Sequence, residues 1–319
     1  MIGIVEFEVR LPRSQVTVDQ LSTASGLGLA DIRTVTRCDS FPVLSPEEPV
    51  WEAACDAAAA VLGRVAVPRT AIDCVIYAGS GVWDRPFWSP AAKVAHELGI
   101  DDAHCFEVTN FCNSGAAAIQ LACDKVELGR AAYVLVLLGD QLSRMVDHHD
   151  PESKALFNFG DAGAAVLIGA NGCTFAHLRS TMRTDPSWVD YYFGEPGDGH
   201  VLIRRGTHRA GLADAYVENF VALTDRTLRA VHRGRDEIAY LLVNHGDEKI
   251  HRRLMRALDL PDQRSVFNYD RLGHMGGADT LIALQDLVTT RKLRTGDLIL
   301  LATSAMGFSW GVTALEYQR

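Results

Sequence analysis

The chain has 319 residues, of which 48% are hydrophobic and 22% charged, a composition typical of a soluble globular protein. Its formal net charge is −9 and its lysines and arginines do not cluster, which argues against partners such as nucleic acid or an anionic membrane surface. The longest apolar runs are strand length, and the first residues lack a basic segment followed by an apolar one. We therefore expect a cytoplasmic protein that does not enter the membrane.

Seven cysteines, an odd number, are spread along the chain without paired spacing. This pattern predicts reduced thiols, with neither a disulfide framework nor a metal site. Cys55, Cys74 and Cys123 stand among small apolar residues and are predicted to be core residues.

The predicted elements follow the order strand, helix, strand, turn, helix, strand, and the second half of the chain repeats that order. The clearest segments are residues 72–79, 106–116, 119–126 and 133–140 in the first half, and residues 238–246, 267–278, 281–288 and 298–304 in the second. Residues 106–116 and 267–278 are each predicted to be an extended stretch followed by a turn. Short β-branched runs separated by helical patterns predict parallel sheets covered by helices on both faces. The sequence therefore predicts an α/β fold built by duplication.

The two predicted strand-to-helix turns correspond residue by residue. When the halves are overlaid, Gly115 meets Gly277, and Cys112 meets His274. A cysteine and a histidine thus occupy equivalent turns.

Cys112 is followed by Asn113-Ser114-Gly115, small residues that let the start of a helix approach closely. Unpaired N–H groups and the helix dipole at such a position favour a thiolate, which makes the cysteine a candidate nucleophile. The local sequence alone leaves a structural role for Cys112 equally open.

Beyond these turns, the chain resembles the β-ketoacyl-acyl-carrier-protein synthase III family of the thiolase superfamily. The resembling segments are residues 106–108, Cys112 with Gly115, residues 139–140 and 159–167, and later residues 243–245, 270–283 and 307–311. The resemblance implies a thiolase-like duplicated αβαβα five-layer fold, usually a homodimer. We place its halves at residues 1–170 and 171–319.

The resemblance also implies thioester chemistry that needs no cofactor. Cys112 would take an acyl group from an acyl-coenzyme A or acyl-carrier-protein thioester, and His245 and His274 would assist. His274 stands where the family normally has asparagine, and an imidazole can donate a hydrogen bond to a developing enolate as an amide does. The main-chain N–H groups of Cys112 and Gly307 would bind the oxyanion of the acyl-cysteine. With a malonyl thioester, the implied reaction is decarboxylative Claisen condensation in a specialised polyketide or fatty-acid-like pathway.

The third catalytic residue, beside Cys112 and His245, could be either His274 or Asp279, because some acyltransferring relatives carry a Cys-His-Asp set. If Asp279 orients His245, that histidine becomes a general base for a hydroxyl or amine acceptor, and no carbon–carbon bond forms. If His245 and His274 both donate to a malonyl thioester, condensation follows. A third possibility is an inactive subunit that binds a carrier protein or stabilises a partner.

The predicted substrate-binding residues lie in three regions. Arg37 and Lys154 would meet phosphates, although Arg33 stands where coenzyme-A-using relatives have a stacking tryptophan, so that a carrier protein is a plausible donor. Trp83 and Phe87 lie in a loop that, in the family, closes the acyl pocket and crosses the dimer interface. Phe308 follows Gly307 in the turn near the C-terminus. Residues 183–211 show no clear periodicity and are predicted to form an irregular lid.

Overall fold

The computed structural model describes residues 1–197 and 200–319. Its strands are β1 Gly3–Arg10, β2 Gln15–Thr17, β3 Ser40–Pro42, β4 Ile72–Gly79, β5 His104–Thr109, β6 Tyr133–Gln141, β7 Asp161–Gly169, β8 Phe175–Thr184, β9 Tyr192–Pro196, β10 Val201–Arg205, β11 Ile238–Val243, β12 Leu298–Ala305 and β13 Ser309–Tyr317. Its helices are α1 Val18–Ser25, α2 Leu29–Thr36, α3 Val50–Arg64, α4 Pro90–Leu98, α5 Ser114–Glu127, α6 Leu212–Ala230, α7 Glu248–Ala257 and α8 Asp279–Thr289.

One nine-stranded sheet runs through both halves, in the order β11-β12-β13-β8-β1-β7-β6-β4-β5. Each half contains the same arrangement: a parallel pair (β4 with β6, β11 with β12) continues into two antiparallel pairings that end at β1 and at β8. The halves join where β1 pairs with β8, Gly3 opposite Ala176 and Ile4 opposite Phe175. The predicted duplication is therefore confirmed in the strand order, and the boundary we placed at residue 170 falls between β7 and β8.

The helices form layers outside and between the two parts of the sheet. Helices α3 and α4 cover one outer face, against β1, β6 and β7 and against β4 and β5 respectively. Helices α6 and α7 pack on each other at the opposite outer face, with apolar side chains buried on β11–β13. Helices α5 and α8 lie in the central apolar layer, where their buried faces meet both halves. This is the predicted duplicated thiolase-like fold.

Two local predictions are wrong. The extended stretch predicted to open residues 267–278 contains a turn, because the N–H groups of Arg271 and Leu272 bond back to the carbonyl of Asn268 instead of joining a ladder. The Asn268 side chain also bonds Asp286 on α8, at 2.8 Å, which fixes the turn against that helix. In the predicted irregular segment 183–211, β8 continues to Thr184 and β9 and β10 form a hairpin; residues 198 and 199 of that segment lie outside the described residues.

None of the helices in the described residues has the length and apolar character needed to cross a membrane.

Candidate active site

Cys112 lies in a single 3-10 turn, Phe111–Asn113, that connects β5 to α5. Phe111 adopts φ 49°, a left-handed conformation that costs a non-glycine residue roughly 1–3 kcal/mol and persists only where the surroundings hold it. Asn113 provides that hold: its Oδ1 accepts a 2.5 Å hydrogen bond from the Thr303 hydroxyl, and its Nδ2 donates to Ser309 Oγ at 3.3 Å. Because residues 303 and 309 belong to the second half, hydrogen bonds between the two halves hold the turn that carries the sulfur.

The equivalent turn brings His274 to the sulfur. Its Nε2 lies 3.1 Å from Cys112 Sγ, and its Nδ1 lies 2.5 Å from Asp279 Oδ2. The main chain of His274 is held on both sides, since its N–H donates to Asn158 at 2.7 Å and its carbonyl accepts from Gly160 at 3.0 Å. Sulfur, imidazole and carboxylate therefore form one continuous hydrogen-bonded line.

Close packing of the two turns makes this line possible. A methyl group on Gly115 would lie 2.6 Å from Leu138 Cδ2 and 3.2 Å from the carbonyl oxygen of Gly277. The paired glycines noted in the sequence are thus the point of contact between the two turns.

The electrostatics of the line favour charge separation. Burial opposes a charged imidazole at His274, yet the neighbouring Cys112 sulfur and the Asp279 carboxylate raise the pKa of His274 well above its usual value. Burial likewise opposes a charged Asp279, but His274 and His245 hold the pKa of that carboxyl well below its usual range. The geometry therefore favours a protonated His274 ring, placed between the Cys112 sulfur and the Asp279 carboxylate.

Asp279 bonds the ring of His274 directly, whereas its hydrogen bond to His245 is to the main chain. Its Oδ2 accepts the main-chain N–H of His245 at 2.7 Å, and its Oδ1 accepts that of Met275 at 2.7 Å. The Nδ1 atom of His245 is 3.6 Å from Asp279 Oδ1. Of the two arrangements left open by the sequence, the structure places the carboxylate on His274.

His245 presents an unpaired ring. Its side chain is fully buried, and neither ring nitrogen has a hydrogen-bond partner among the described residues. The ring meets Tyr269 edge-on, with centroids 5.1 Å apart, and the Tyr269 hydroxyl lies 3.2 Å from Nδ1 of His251. A buried imidazole without a partner is costly unless a bound molecule supplies one, and because Nδ1 faces Asp279 Oδ1 at 3.6 Å, Nε2 is the nitrogen available to a substrate.

The turn at Gly307 supports the predicted oxyanion site. Gly307 has φ 74°, and Phe308 after it has φ 52°. A methyl group on Gly307 would lie 3.3 Å from the Phe111 ring, so this turn sits against the turn carrying Cys112. Among the hydrogen bonds of the described residues, none uses the N–H of Cys112 or of Gly307, which leaves both donors free for an oxyanion.

The predicted phosphate-binding residues lie at the surface. Arg37 is paired with Glu248 at the start of α7, Nε to Oε2 3.7 Å. Lys154 lies in the 3-10 turn Pro151–Leu156, which packs against α2, the helix that ends just before Arg37. The two cations therefore border the same part of the surface.

The predicted aromatic contacts differ in their surroundings. Trp83 packs edge-on against Tyr77, with centroids 5.4 Å apart, whereas the Phe87 side chain is fully exposed at φ 51°. Residues 81–89 line a cavity of about 1140 Å³ whose walls contain neither Cys112 nor the two histidines. The ring of Phe308, predicted to bind substrate, is 1% exposed and is enclosed by Trp188, Tyr191, Tyr192 and Trp310.

Tyr216 on α6 is a neighbour of the site that the sequence did not reveal. Burial raises the pKa of Tyr216, the Ser304 hydroxyl opposes that shift, and the nearby Cys112 adds to it. Its ring meets Trp310 edge-on at 5.5 Å. The residue carries no motif, and its position on the inner face of an amphipathic helix is also that of an ordinary core tyrosine.

Comparison with known proteins places the chain in a family. Models of 3-oxoacyl-[acyl-carrier-protein (ACP)] synthase III match residues 106–186, and models of its C-terminal part match residues 228–317, together just over half of the chain. The chain belongs to the synthase III-like family. The synthase III-like chain is 28% identical to the beta-ketoacyl-[acyl-carrier-protein] synthase III of Xylella fastidiosa strain 9a5c over 315 residues, which cover 96% of this chain and 95% of that protein.

Solved structures show the same fold. The 3-oxoacyl-[acyl-carrier-protein] synthase III of Aquifex aeolicus superposes on the synthase III-like chain with a TM-score of 0.88 at 23% identity, over 99% of this chain and 100% of the other. The priming β-ketosynthase of the R1128 polyketide pathway gives a TM-score of 0.89 at 19% identity, over 100% and 96%. At these identities the likeness speaks for the fold alone.

Proposed function

We propose that this protein transfers acyl groups from thioesters through an acyl-Cys112 intermediate and then performs a decarboxylative Claisen condensation with a malonyl thioester. The observation that carries the proposal is the line from Cys112 Sγ to His274 Nε2, 3.1 Å, and from His274 Nδ1 to Asp279, 2.5 Å. A specialised polyketide or fatty-acid-like pathway is proposed as its setting, since a polyketide priming ketosynthase is among the proteins of the same fold.

In the first half-reaction the Cys112 thiolate attacks the carbonyl carbon of the donor thioester. The N–H groups of Cys112 and Gly307 bind the oxygen that becomes negative. Collapse of the tetrahedral intermediate breaks the bond to the donor sulfur, and the His274 imidazolium protonates the departing thiolate. The products are acyl-Cys112, a free thiol and a neutral His274 that regains its proton from water.

In the second half-reaction the malonyl thioester loses carbon dioxide and forms an enolate. The unpaired His245 ring and the reprotonated His274 both donate to the enolate oxygen, and a donor that carries charge binds it more strongly than a neutral amide. The enolate carbon attacks acyl-Cys112, which releases the β-ketoacyl thioester and restores the thiolate. Family membership and the synthase III relatives support this half-reaction.

Intact-mass spectrometry after incubation with acyl-coenzyme A and acyl-carrier-protein thioesters tests the intermediate. We expect the mass of one acyl group, absent in C112A and retained in C123A, which removes another buried cysteine from α5. An unmodified wild-type protein would instead support an inactive binding subunit.

A second candidate is acylation of a hydroxyl or amine without carbon–carbon bond formation. The bond from His274 to Asp279 favours it, because an imidazole oriented by a carboxylate is the arrangement of a general base that deprotonates an acceptor. Malonyl carrier protein added to the acyl-enzyme separates the two: release of carbon dioxide supports condensation. An acylated alcohol or amine without that release removes our first choice.

We also propose that the protein is a homodimer that receives substrates from an acyl carrier protein. The fully exposed Phe87 beside the cavity at residues 81–89 supports a partner at that face. Light scattering should give twice the mass of the chain, and F87D should give a monomer while L128D, which changes another exposed apolar residue, should not. A monomeric wild type would end this proposal.

A further inference from the structure

Asp140, at the end of β6, is a buried carboxylate that lies where the two halves meet. It is 4% exposed, and its Oδ1 accepts the main-chain N–H of Ser80 at 2.7 Å. Ser80 directly follows β4, whose last residue pairs with Thr109 at the end of β5, the strand that leads to Cys112. One oxygen of Asp140 is therefore tied to the sheet edge on the nucleophile's side.

The other oxygen faces the turn behind His274. A methyl group on Gly276 would lie 2.8 Å from Asp140 Oδ2, so the carboxylate fills the space that a side chain there would need. The main-chain N–H of Gly277 also faces this carboxylate. Gly277 is the residue that touches the Cys112 turn at Gly115, which places Asp140 against the contact between the two turns.

We propose that Asp140 is a positioning residue that sets the approach of His274 to Cys112 and supports the charged form of that imidazole. It acts on His274 through the turn at Gly276 and Gly277, and it does not touch the sulfur itself. Asp279 holds the same turn from its other side through the N–H of Met275. The turn is thus fixed between two buried carboxylates, one from each half.

The electrostatic surroundings are consistent with this role. Burial raises the pKa of Asp140 to about 6, while Ser80, the Gly277 N–H and His274 oppose the shift. Tyr77 of β4 is another titratable group near Asp140, and burial raises the pKa of Tyr77 well above its usual value. Near neutral pH the carboxylate is therefore charged despite its burial, with the imidazolium of His274 as the cation that favours this state.

The test compares D140N with wild type by the rate of Cys112 alkylation with iodoacetamide between pH 4 and 9. D140N keeps the size of the side chain but removes its charge. We expect the transition in which the His274 imidazolium loses its proton to move to lower pH by about one unit, because losing a nearby anion typically lowers the pKa of a cation by this amount or more. This readout does not depend on the acceptor, so a failed condensation assay would leave it intact, even though the inference builds on the proposed acyl-Cys112 chemistry.

D161N is the matched control. Asp161 is fully buried and accepts from the N–H of Leu44 at 2.8 Å and of Ser143 at 2.9 Å, and its carboxylate has no bond to the turn at Gly276 and Gly277. We expect D161N to lower the melting temperature without moving the alkylation profile. An unmoved profile in D140N, or an equal shift in both variants, would overturn the inference. A circular dichroism spectrum of D140N equal to that of wild type, together with a shifted alkylation profile, would support the inference.

Discussion

Replacing Asp279 with asparagine tests the role of the carboxylate that forms hydrogen bonds with both His274 and His245. The carboxylate accepts three hydrogen bonds, from the His274 ring and from the main-chain N–H groups of His245 and Met275. In D279N one oxygen is replaced by an NH₂ group, which cannot accept a hydrogen bond, so at least one of the three donors loses its acceptor. The side chain keeps its size, so the change is one of charge and hydrogen bonding.

The magnitude follows from the bond that the imidazolium loses. A hydrogen bond to a charged group contributes about 1.5–3 kcal/mol, and 1.36 kcal/mol corresponds to one pKa unit. We therefore expect the pKa of His274 to fall by about one to two units in D279N. Because that ring lies 3.1 Å from Cys112 Sγ, the transition of the alkylation profile in which the imidazolium loses its proton should move to lower pH by the same one to two units.

The assay is the rate of iodoacetamide incorporation at Cys112 across pH, read by intact mass. D286N is the control, since Asp286 lies on the same helix and bonds Arg271 at 2.5 Å and Asn268 at 2.8 Å, outside the line from sulfur to Asp279. Its alkylation profile should match wild type. A D279N profile equal to that of wild type would refute the coupling of Asp279 to the sulfur through His274.

Three further results are expected. The melting temperature of D279N should lie below wild type near pH 6, and the gap should narrow steadily as the pH falls below about 4, because a carboxylate with a lowered folded pKa loses its stabilising effect between its unfolded and its folded pKa. A constant gap would contradict this. G307A should lower the melting temperature by about 2 °C, because alanine at φ 74° costs about 1 kcal/mol, and it should also slow acylation of Cys112. The control G129A, at φ 64° with open space around it, should show only the thermal effect. Equal acylation rates in the two variants would argue against the oxyanion role of Gly307. The stability of D140N relative to wild type should improve as the pH rises from 4 to 7, since a carboxylate whose folded pKa is raised to about 6 costs stability once ionised; a pH-independent difference would show that Asp140 does not titrate in that range.

The architecture and the pairing of the two turns could be predicted from the sequence because they depend on local patterns. Periodicity separates strands from helices, and the aligned Gly115 and Gly277 reflect a steric contact that only glycine permits. The segment before His274 could not be predicted in the same way. Its apolar residues suggested a strand, but side-chain bonds from Asn268 to Asp286, eighteen residues later, decide the conformation.

The sequence also could not show which histidine ring forms a hydrogen bond with Asp279. Asp279 is five residues from His274 and thirty-four from His245, and both spacings are compatible with contact. Which ring it meets depends on the turn at residues 275–278, where the N–H of Met275 fixes the orientation of the carboxylate. The buried position of Phe308 has a similar origin, since four aromatic residues from distant segments surround its ring.

The pairing of β1 with β8 has a consequence for how this protein can be divided. Fragments cut between residues 170 and 175 would each carry a bare strand edge, β1 in one and β8 in the other, and such edges promote self-association. Each fragment would also lack one of the two turns that meet at the sulfur. Split halves should therefore recover alkylation of Cys112 at low pH only when they are refolded in the same tube.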